Sequence, residues 1–361
     1  MIHSEFLAKQ ATNLILKGSI KAQAPSNIAL VKYWGKHGEQ LPKNTSVSFT
    51  LSNCKTTTTL EFVKKETAGF DFEVYLDEKR TASFEPKIEA FFNRIVSYCP
   101  FVADYSFTIR THNSFPHSSG IASSASGMSA LAICLVQLED QLSSGSLAQS
   151  HKTNKASFLA RLGSGSACRS LEGPLVVWGE HKDVANSSDL FGTKLTQKID
   201  AVFNEYCDTI LLVDKGQKQV SSTVGHGLMH NHPFAQNRFE QANQNITKIV
   251  EVLATGDQQG FIEIVESEAL SLHAMMMTSL PYFILFKPNT LKIIEAIWEF
   301  RKNSEIPVCF TLDAGANVHV LYAQKDKLAV QEFIQNTLVE YCEKGQFIDD
   351  NTGMGAQLLA K

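Results

Sequence analysis

A stretch rich in serine and glycine, FPHSSGIASSASGMSALA (residues 115–132), carries the side-chain types that can bind an anion. It leads directly into apolar residues with helical periodicity, so a loop of small residues would open a helix. At such a junction unpaired backbone N–H groups and the helix dipole favour a phosphate, and serine hydroxyls add further donors. The same serines could instead cap a buried helix. Because no GxxxxGK[ST] motif is present, both interpretations stay open at this point.

Charged residues in three other motifs could act on such an anion. Lys32 and Lys36 lie four positions apart in VKYWGK, and on a strand this even interval would place both on one face. Arg169 in SGSACRS has a forked guanidinium that suits a carboxylate or a phosphate. Asp313 in TLDAGAN follows an apolar run, where a carboxylate at a strand-to-turn junction can face a cleft. Taken singly, these residues have ordinary explanations as solubilising lysines, a flexible surface turn and a DAG turn.

The cysteines and histidines indicate no defined metal or disulfide site. The seven cysteines are scattered and odd in number, without a CxxC pair, which is typical of a protein from a reducing compartment. Cys168 has no evident histidine base nearby, so we expect it to pack rather than to act as a nucleophile. The segment HGLMHNH places His226, His230 and His232 at a spacing that could bind a metal or belong to a solvated loop. The ligands of any metal ion therefore stay unassigned.

Length and composition exclude several classes of protein. With 361 residues and 43% hydrophobic content, the chain can form two modest domains or one large domain with a real core. A net charge of -4 argues against general nucleic-acid binding, which needs a basic face. No stretch approaches the roughly 18 apolar residues of a membrane span, and the N-terminus does not read as a signal peptide. We therefore expect a cytoplasmic protein that binds neither nucleic acid nor membrane.

The predicted elements would position these motifs in an α+β fold. The segments with β-branched and aromatic runs are SIKAQA, NIALVKYW, TTTTLEFV, DFEVYL, YSFTIRTH, LVVWGE, DTILLVD and FTLDAGANVHVLYA. The segments with helical spacing are PKIEAFFNRIVSYC, SGMSALAICLVQLEDQL, FAQNRFEQANQNITKIVEVLA, GFIEIVESEALSLHAMM and NTLKIIEAIWEFRK. This order predicts α+β rather than a regular βαβ alternation. Polar and turn residues at 183–198 indicate a seam between two structured regions.

The serine-rich stretch matches a known phosphate loop. Pro116, Gly120, Ser123 and Ser124 fit the PxxxGLxSSA loop of the GHMP superfamily of small-molecule kinases, with Ile121 in place of the usual leucine. APSNIALVKYWGK, SGSACRS and DAGAN, in that order around the loop, resemble the motifs of diphosphomevalonate decarboxylases. LHAMMMTSLP is similar to a helix of the same family. The chain thus resembles this family from about residue 21 to its C-terminus.

The resemblance implies a fold and a domain organisation. The expected fold is the GHMP kinase fold, with two lobes and an active site between them. Residues 1–195 would form a ribosomal-S5-domain-2-like N-terminal lobe that carries the phosphate loop. Residues 196–361 would form a ferredoxin-like C-terminal lobe that carries the catalytic aspartate. The family also implies a homodimer.

The resemblance further implies an activity. The reaction would convert mevalonate 5-diphosphate and ATP to isopentenyl diphosphate, ADP, phosphate and CO₂, and phosphoryl transfer calls for Mg²⁺. Hydroxide is a poor leaving group, so phosphorylating the tertiary hydroxyl first lets phosphate depart while the C–CO₂ bond electrons form the alkene. The rival interpretations are decarboxylation of mevalonate 5-phosphate, a kinase that stops at the phosphorylated alcohol, and a non-catalytic binding homologue.

Individual roles also follow from the resemblance. Asp313 would orient the hydroxyl and take its proton as the phosphoryl group arrives, and the three catalytic residues would be Asp313, Lys32 and Arg169. The residues expected at the substrate are Tyr33, Lys36, Ser164, Ser166 and Ser222. The residues expected at the nucleotide are Pro116, Ser118, Gly120, Ser123 and Ser124. The departures from the family are His226 where methionine is frequent, Ala316 where proline is usual, and a short connection at 37–42.

Overall fold

The computed structural model describes residues 2–116, 121–145, 147–214 and 222–360, and of residues 222 and 223 the backbone alone. Within these ranges the strands are β1 (Lys17–Val31), β2 (Lys36–His37), β3 (Leu41–Pro42), β4 (Ser46–Lys64), β5 (Asp71–Leu76), β6 (Lys79–Arg80), β7 (Tyr105–Asn113), β8 (Leu175–Trp178), β9 (Thr193–Lys194), β10 (Cys207–Leu211), β11 (Val308–Thr311), β12 (Val318–Tyr322), β13 (Phe347–Asn351) and β14 (Gln357–Leu359). The α-helices are α1 (Glu85–Ile95), α2 (Ser123–Leu142), α3 (Gln149–Gly163), α4 (Ser222–Gly227), α5 (Ala235–Thr255), α6 (Gln258–Met277), α7 (Pro288–Ser304) and α8 (Lys327–Phe333).

The larger sheet is built around the long antiparallel pair β1 and β4. Its strand order is β14-β1-β4-β7-β5-β6, and β8 pairs with both β4 and β9 at one side of this path. All of these pairs are antiparallel except β5 with β7. From Cys54 to Phe62 every second residue of β4 is buried, because alternate side chains face the helical layer. Helix α2 packs on β1 and β4, and α3 packs on α2.

The smaller sheet forms the second lobe. Its strands lie in the order β11-β12-β10-β13 and are all antiparallel. Helices α6 and α7 contact β11, and α5 packs on α6. Helix α6 also contacts β1, and β13 contacts β4, so the two lobes meet along the central strands of the larger sheet. The predicted α+β class with two lobes is confirmed.

The prediction that Lys32 and Lys36 share one face of a strand is wrong. The segment NIALVKYW predicts a strand through Trp34, but β1 ends at Val31 and Lys36 begins the hairpin β2–β3. The buried side chain of Asn44 donates to the Lys32 carbonyl at 2.9 Å and accepts from the Trp34 N–H at 3.3 Å. Because these backbone groups are bound by a side chain, they are not available to a neighbouring strand.

Helix α3 and the return of the last strand are not predicted by the sequence. The nine residues from Lys155 to Gly163 of α3 are all buried, so no apolar stripe with helical spacing distinguishes one face. Strand β14 pairs with β1, which brings residues 357–359 back to the larger sheet. The seam expected at 183–198 contains β9, which pairs with β8 in that sheet. The boundary between residues 195 and 196 stays a prediction.

Two further observations concern membrane-spanning helices and disulfide bonds. No helix in the described ranges has the length and apolar character that crossing a membrane would require. All seven cysteines are buried and none forms a disulfide.

Candidate active site

A buried ion pair links the end of β1 to the turn between β11 and β12. Lys32 Nζ lies 3.1 Å from Asp313 Oδ1, and the Lys32 side chain is 2% exposed whereas that of Asp313 is 28% exposed. Burial lowers the pKa of Lys32, and the Asp313 carboxylate opposes that shift. The pair therefore places a desolvated cation beside a carboxylate that a ligand can reach.

Buried hydrogen bonds from the second lobe fix the backbone of Lys32. Glu268 on α6 accepts from the Lys32 N–H at 2.8 Å. Arg238 on α5 donates to Glu268 and, at 3.3 Å, to the Lys32 carbonyl, while Asn245 donates to the other Glu268 oxygen at 2.7 Å. No sequence pattern indicates these partners, because they come from helices far along the chain. Together these hydrogen bonds fix the position of the Lys32 backbone, from which its side chain extends toward Asp313.

A neutral histidine holds the turn that carries Asp313. His273 on α6 donates from Nε2 to the Asp313 carbonyl at 3.1 Å, and its ring stacks on Phe286 with 4.1 Å between centroids. Burial lowers the pKa of His273 to about 4, so the ring is neutral near pH 7. At the other end of the DAGAN motif, Asn317 accepts from the Asp214 N–H at 2.9 Å. Asp313 lies two residues after the end of the apolar strand β11 at Thr311, close to the strand-to-turn junction that the sequence predicts.

Arg169 lies in a 3₁₀ helix (Gly165–Ser170) that follows α3. Its Nε and Nη2 each donate to Asn27 Oδ1 at 3.4 Å, and Nη1 donates to Ser46 Oγ. Burial lowers the pKa of Arg169, and electrostatic attraction to groups including Asp313 opposes the shift. Because these hydrogen-bond acceptors are neutral, the guanidinium charge is available to an anionic ligand. The sequence does not predict that Asn27 and Ser46 hold the Arg169 side chain in place.

Tyr33 forms the centre of an aromatic cluster beside Arg169. Its ring centroid lies 4.7 Å from that of Trp178 and 4.3 Å from that of His226. The Arg169 guanidinium lies 6.0 Å from the Tyr33 ring centroid. Burial raises the pKa of Tyr33, so the phenol keeps its proton and can donate a hydrogen bond.

Gly165 permits the close approach of Tyr33 and Trp178, which leads to a stability prediction. A Cβ atom at Gly165 would lie 2.7 Å from Tyr33 Oη and 2.9 Å from the nearest Trp178 atom. Gly165→Ala should therefore lower the free energy of unfolding by about 1–3 kcal/mol, measured by denaturant titration. Gly127→Ala is the matched control, because a Cβ there meets nothing within 4 Å and alanine favours the helix. Equal stability of the two variants would contradict the close packing at Gly165.

The N-terminus of α2 lies next to the end of α3. Ser123 and Ser124 begin α2, and the N-cap is Ala122, which has φ 44° and makes no side-chain capping bond. Ser124 Oγ lies 3.5 Å from Ser164 Oγ, which brings the serine-rich stretch and the SGSACRS motif together. In the described part of the chain neither serine acts as the N-cap. The N–H groups of Ser123 and Ser124 can therefore serve an anion, whereas that of Ala125 donates to the Ala122 carbonyl at 2.7 Å.

The other predicted binding residues are placed as follows. The Ser166 carbonyl accepts a hydrogen bond at 3.2 Å from the asparagine that also holds Arg169. Pro116 is the last residue of a described range, and Ser118 and Gly120 lie outside the described residues. Ser222 begins α4, but its side chain lies outside the description.

Lys36 lies at the start of the short connection predicted to depart from the family. This connection is the hairpin β2–β3, in which Lys36 pairs with Pro42 and His37 with Leu41. Burial lowers the pKa of Lys36, and its ammonium donates to Gln40 Oε1 at 2.8 Å. The Lys36 ammonium is thus held by the hairpin and does not share the buried position of the Lys32 ammonium.

The described residues contain no group of three or more His, Cys, Asp or Glu side chains arranged to hold a metal ion. His232 bonds a backbone carbonyl of α6 at 3.1 Å, and His226 accepts from the Gly35 N–H at 3.0 Å, so these two histidines have separate partners. Burial raises the pKa of Cys168 to about 12, and its thiol donates to the Gly165 carbonyl at 3.1 Å. Cys168 is therefore a packed thiol without thiolate character near pH 7.

Two buried histidines make stability depend on pH. Burial lowers the pKa of His226 to about 3 and that of His273 to about 4. An unfolded chain titrates these rings near pH 6.5, so below that pH it binds more protons than the folded protein. The stabilisation is present above pH 6.5 and is lost as the pH falls toward 4, by roughly 2–3 kcal/mol per ring.

Replacement of one ring tests this dependence. His226→Met should reduce the loss of unfolding free energy between pH 7 and pH 4, measured by denaturant titration, because methionine does not titrate. His230→Met on the exposed side of the same segment is the control and should keep the wild-type slope. A wild-type slope in His226→Met would contradict a neutral buried ring at this position.

Comparisons with known proteins cover almost the whole chain. Residues 24–189 match the family model of the diphosphomevalonate decarboxylase-like N-terminal domain, and residues 209–358 match that of the mevalonate 5-diphosphate decarboxylase C-terminal domain. The chain is 31% identical to a diphosphomevalonate decarboxylase of Gibberella zeae, over 84% of this chain and 80% of that protein.

Solved structures are similar over the same extent. The structure of MDDEF in complex with MVAPP, AMPPCP and magnesium has a TM-score of 0.80 and 30% identity, covering 95% of this chain and 99% of that chain. Mevalonate diphosphate decarboxylase from Staphylococcus aureus has a TM-score of 0.81 and 27% identity, covering 96% and 99%.

Proposed function

Because the chain belongs to the diphosphomevalonate decarboxylase family, we propose that it converts mevalonate 5-diphosphate and ATP to isopentenyl diphosphate, ADP, phosphate and CO₂. This reaction belongs to the mevalonate pathway of isoprenoid biosynthesis. The observation that carries the proposal is the partly exposed Asp313 carboxylate, 3.1 Å from the buried Lys32 ammonium, on the path between the two lobes. The fold is the GHMP kinase fold.

The residues present fit a nucleotide at the start of α2. The N-cap offers no side-chain acceptor, Ser123 and Ser124 are small, and Ser124 lies near Ser164. We therefore propose that this helix end, with Pro116, Ser118 and Gly120 of the preceding loop, holds the phosphates of ATP.

The enzyme also uses Mg²⁺. When bound, Mg²⁺ neutralises charge that develops on the phosphates. It typically takes one or two carboxylates together with phosphate oxygens and water, and its protein ligands stay unassigned.

Asp313 is proposed to accept the proton of the tertiary hydroxyl while the hydroxyl oxygen attacks the γ-phosphorus and the bond to ADP breaks. A carboxylate is too weak a base to remove this proton in advance, so proton transfer accompanies attack and positioning matters most. The Lys32 ammonium pairs with Asp313, and its positive charge stabilises negative charge on the reacting oxygens beside it. In the next step the C–O bond breaks, phosphate leaves, and the electrons of the C–CO₂ bond form the alkene as CO₂ departs.

Arg169 is proposed to orient the substrate and to stabilise phosphate charge. A tight pair with the departing carboxylate would stabilise the ground state and oppose loss of CO₂, so this role is not assigned to it. Tyr33, Lys36, Ser164, Ser166 and Ser222 are proposed to bind the rest of the substrate. The phenol of Tyr33, which burial keeps protonated, and the Lys36 ammonium supply a donor and a positive charge for its phosphates.

One assay separates this function from its rivals. Purified protein is incubated with ATP, Mg²⁺ and either mevalonate 5-diphosphate or mevalonate 5-phosphate, and CO₂ and ADP are followed together. The proposal predicts both products with the diphosphate. Turnover of the monophosphate alone would assign a phosphomevalonate decarboxylase, ADP without CO₂ would assign a kinase, and neither product would assign a non-catalytic homologue.

Three further properties are proposed. A homodimer follows from the family resemblance and is tested by sedimentation velocity. A cytoplasmic location is supported by seven buried, unpaired cysteines. A lobe boundary between residues 195 and 196 is supported by β9 and β10, which lie in different sheets.

A further inference from the structure

His226 lies at the place where the substrate phosphates are proposed to bind. Its ring centroid is 4.3 Å from that of Tyr33 and 4.4 Å from that of Trp34, and the residue is 6% exposed. Lys36 and Arg169 are near enough to act on the ring electrostatically. The imidazole is therefore buried among residues that the proposed function assigns to an anionic substrate.

One hydrogen bond decides which ring nitrogen of His226 carries the proton. The backbone N–H of Gly35 donates to His226 Nδ1 at 3.0 Å. Because a backbone N–H only donates, Nδ1 is the acceptor and carries no hydrogen. The ring is neutral at the pH of any assay near 7, since burial lowers its pKa to about 3. Its single proton therefore sits on Nε2.

The Nε2–H group of His226 has no hydrogen-bond partner among the described residues. A donor on a side chain that is nine-tenths buried is costly to leave unpaired. Its surroundings of two cations make an anion the natural acceptor.

We propose that His226 donates from Nε2 to a phosphate oxygen of bound mevalonate 5-diphosphate and is thus a substrate-binding residue. This inference rests on the proposed function. A hydrogen bond to a charged oxygen is stronger than one between neutral groups, and the fixed tautomer aims the donor before the substrate arrives. Tyr33 and Trp34 hold the ring in place through their contacts with it.

Two substitutions separate the donor from the acceptor. In His226→Asn an amide oxygen can take the place of Nδ1 and accept from the Gly35 N–H, but no donor is present at the Nε2 position. His226→Gln places an amide N–H near the Nε2 position and lacks the acceptor. We expect His226→Asn to raise KM and Kd for mevalonate 5-diphosphate about tenfold or more, with kcat within about threefold. His226→Gln should stay within about threefold of wild type in all three quantities.

The controls and a spectroscopic signature complete the experiment. His230→Asn, on the exposed side of the same segment, should bind like wild type. Calorimetric titration with mevalonate 5-diphosphate gives Kd, and thermal melting reports whether each variant folds. In protein with ¹⁵N-labelled histidine, the ligand should shift the Nε2–H signal of His226, and this signal should be missing in His226→Asn.

Three other outcomes of the binding measurements would overturn the inference. Weaker binding in His226→Gln alone would mean that only the bond from Gly35 matters. Equal losses in both variants would mean that the packing of the ring matters, and unchanged binding in both would remove the contact. If wild-type protein binds mevalonate 5-diphosphate without releasing CO₂, the proposed reaction fails while the titration still decides the role of His226.

Discussion

Asp313→Asn is expected to lower the rate of ATP-dependent CO₂ release by about a hundredfold to ten-thousandfold while ATP binding survives. An amide of the same shape cannot take up the proton of the substrate hydroxyl. It also removes the negative charge 3.1 Å from Lys32 Nζ, so the buried ammonium loses the group that opposes its lowered pKa. The measurements are kcat for mevalonate 5-diphosphate and the Kd of ATP by calorimetry.

The control for Asp313→Asn is an acidic residue that lies away from the interface between the two lobes. Asp77→Asn removes an exposed carboxylate that pairs with His112 and should leave kcat unchanged. The melting temperature is recorded for both variants, so that a low rate in folded protein can be told from loss of the fold. Wild-type turnover by Asp313→Asn would refute the role assigned to this carboxylate.

Arg169→Lys is expected to lower kcat for mevalonate 5-diphosphate by roughly tenfold to a thousandfold. The guanidinium reaches Asn27 with two nitrogens and Ser46 with the third, and a single ammonium on a flexible stem cannot keep this orientation. Because lysine retains the positive charge, a lower kcat would show that the orientation of the guanidinium matters. Steady-state kinetics measure the effect, and melting temperatures report the stability of this buried site.

Arg110→Lys is the matched control for the same exchange at a partly exposed arginine. Arg110 pairs with Glu61 and Glu78 at the surface of the larger sheet. At such a site an ammonium can replace the guanidinium with little effect on stability. It should keep wild-type kinetics. Undiminished turnover by Arg169→Lys in the same assay would count against a forked contact with the substrate.

Local patterns in the sequence predict some of this site. The apolar run before Asp313 and the DAG turn chemistry predict a carboxylate just after a strand, and β11 ends at Thr311, two residues before Asp313. The small residues that meet an alanine-rich helical segment predict a helix from Ser126, and α2 begins three residues earlier, at Ser123. In both cases the deciding residues are neighbours along the chain, so spacing and residue type are sufficient.

Side chains from distant elements decide the features that the sequence does not predict. Asn44, from the loop after β3, binds the backbone of Lys32 and Trp34, which ends β1 earlier than its β-branched pattern indicates. Glu268 and His273 reach Lys32 and Asp313 from α6. Such contacts depend on tertiary packing, within one lobe for Asn44 and His273 and between the lobes for Glu268. A polar residue on a buried helix face gives no local sign of its partner.

The most direct test of the central claim is the stoichiometry of a single reaction. Purified protein is given ATP, Mg²⁺ and mevalonate 5-diphosphate labelled in its carboxyl group, and labelled CO₂, ADP and phosphate are counted in the same samples. The proposed function predicts that the three products appear in equal amounts and that omission of ATP abolishes all of them. ADP in excess over CO₂, or CO₂ release without ATP, would contradict it.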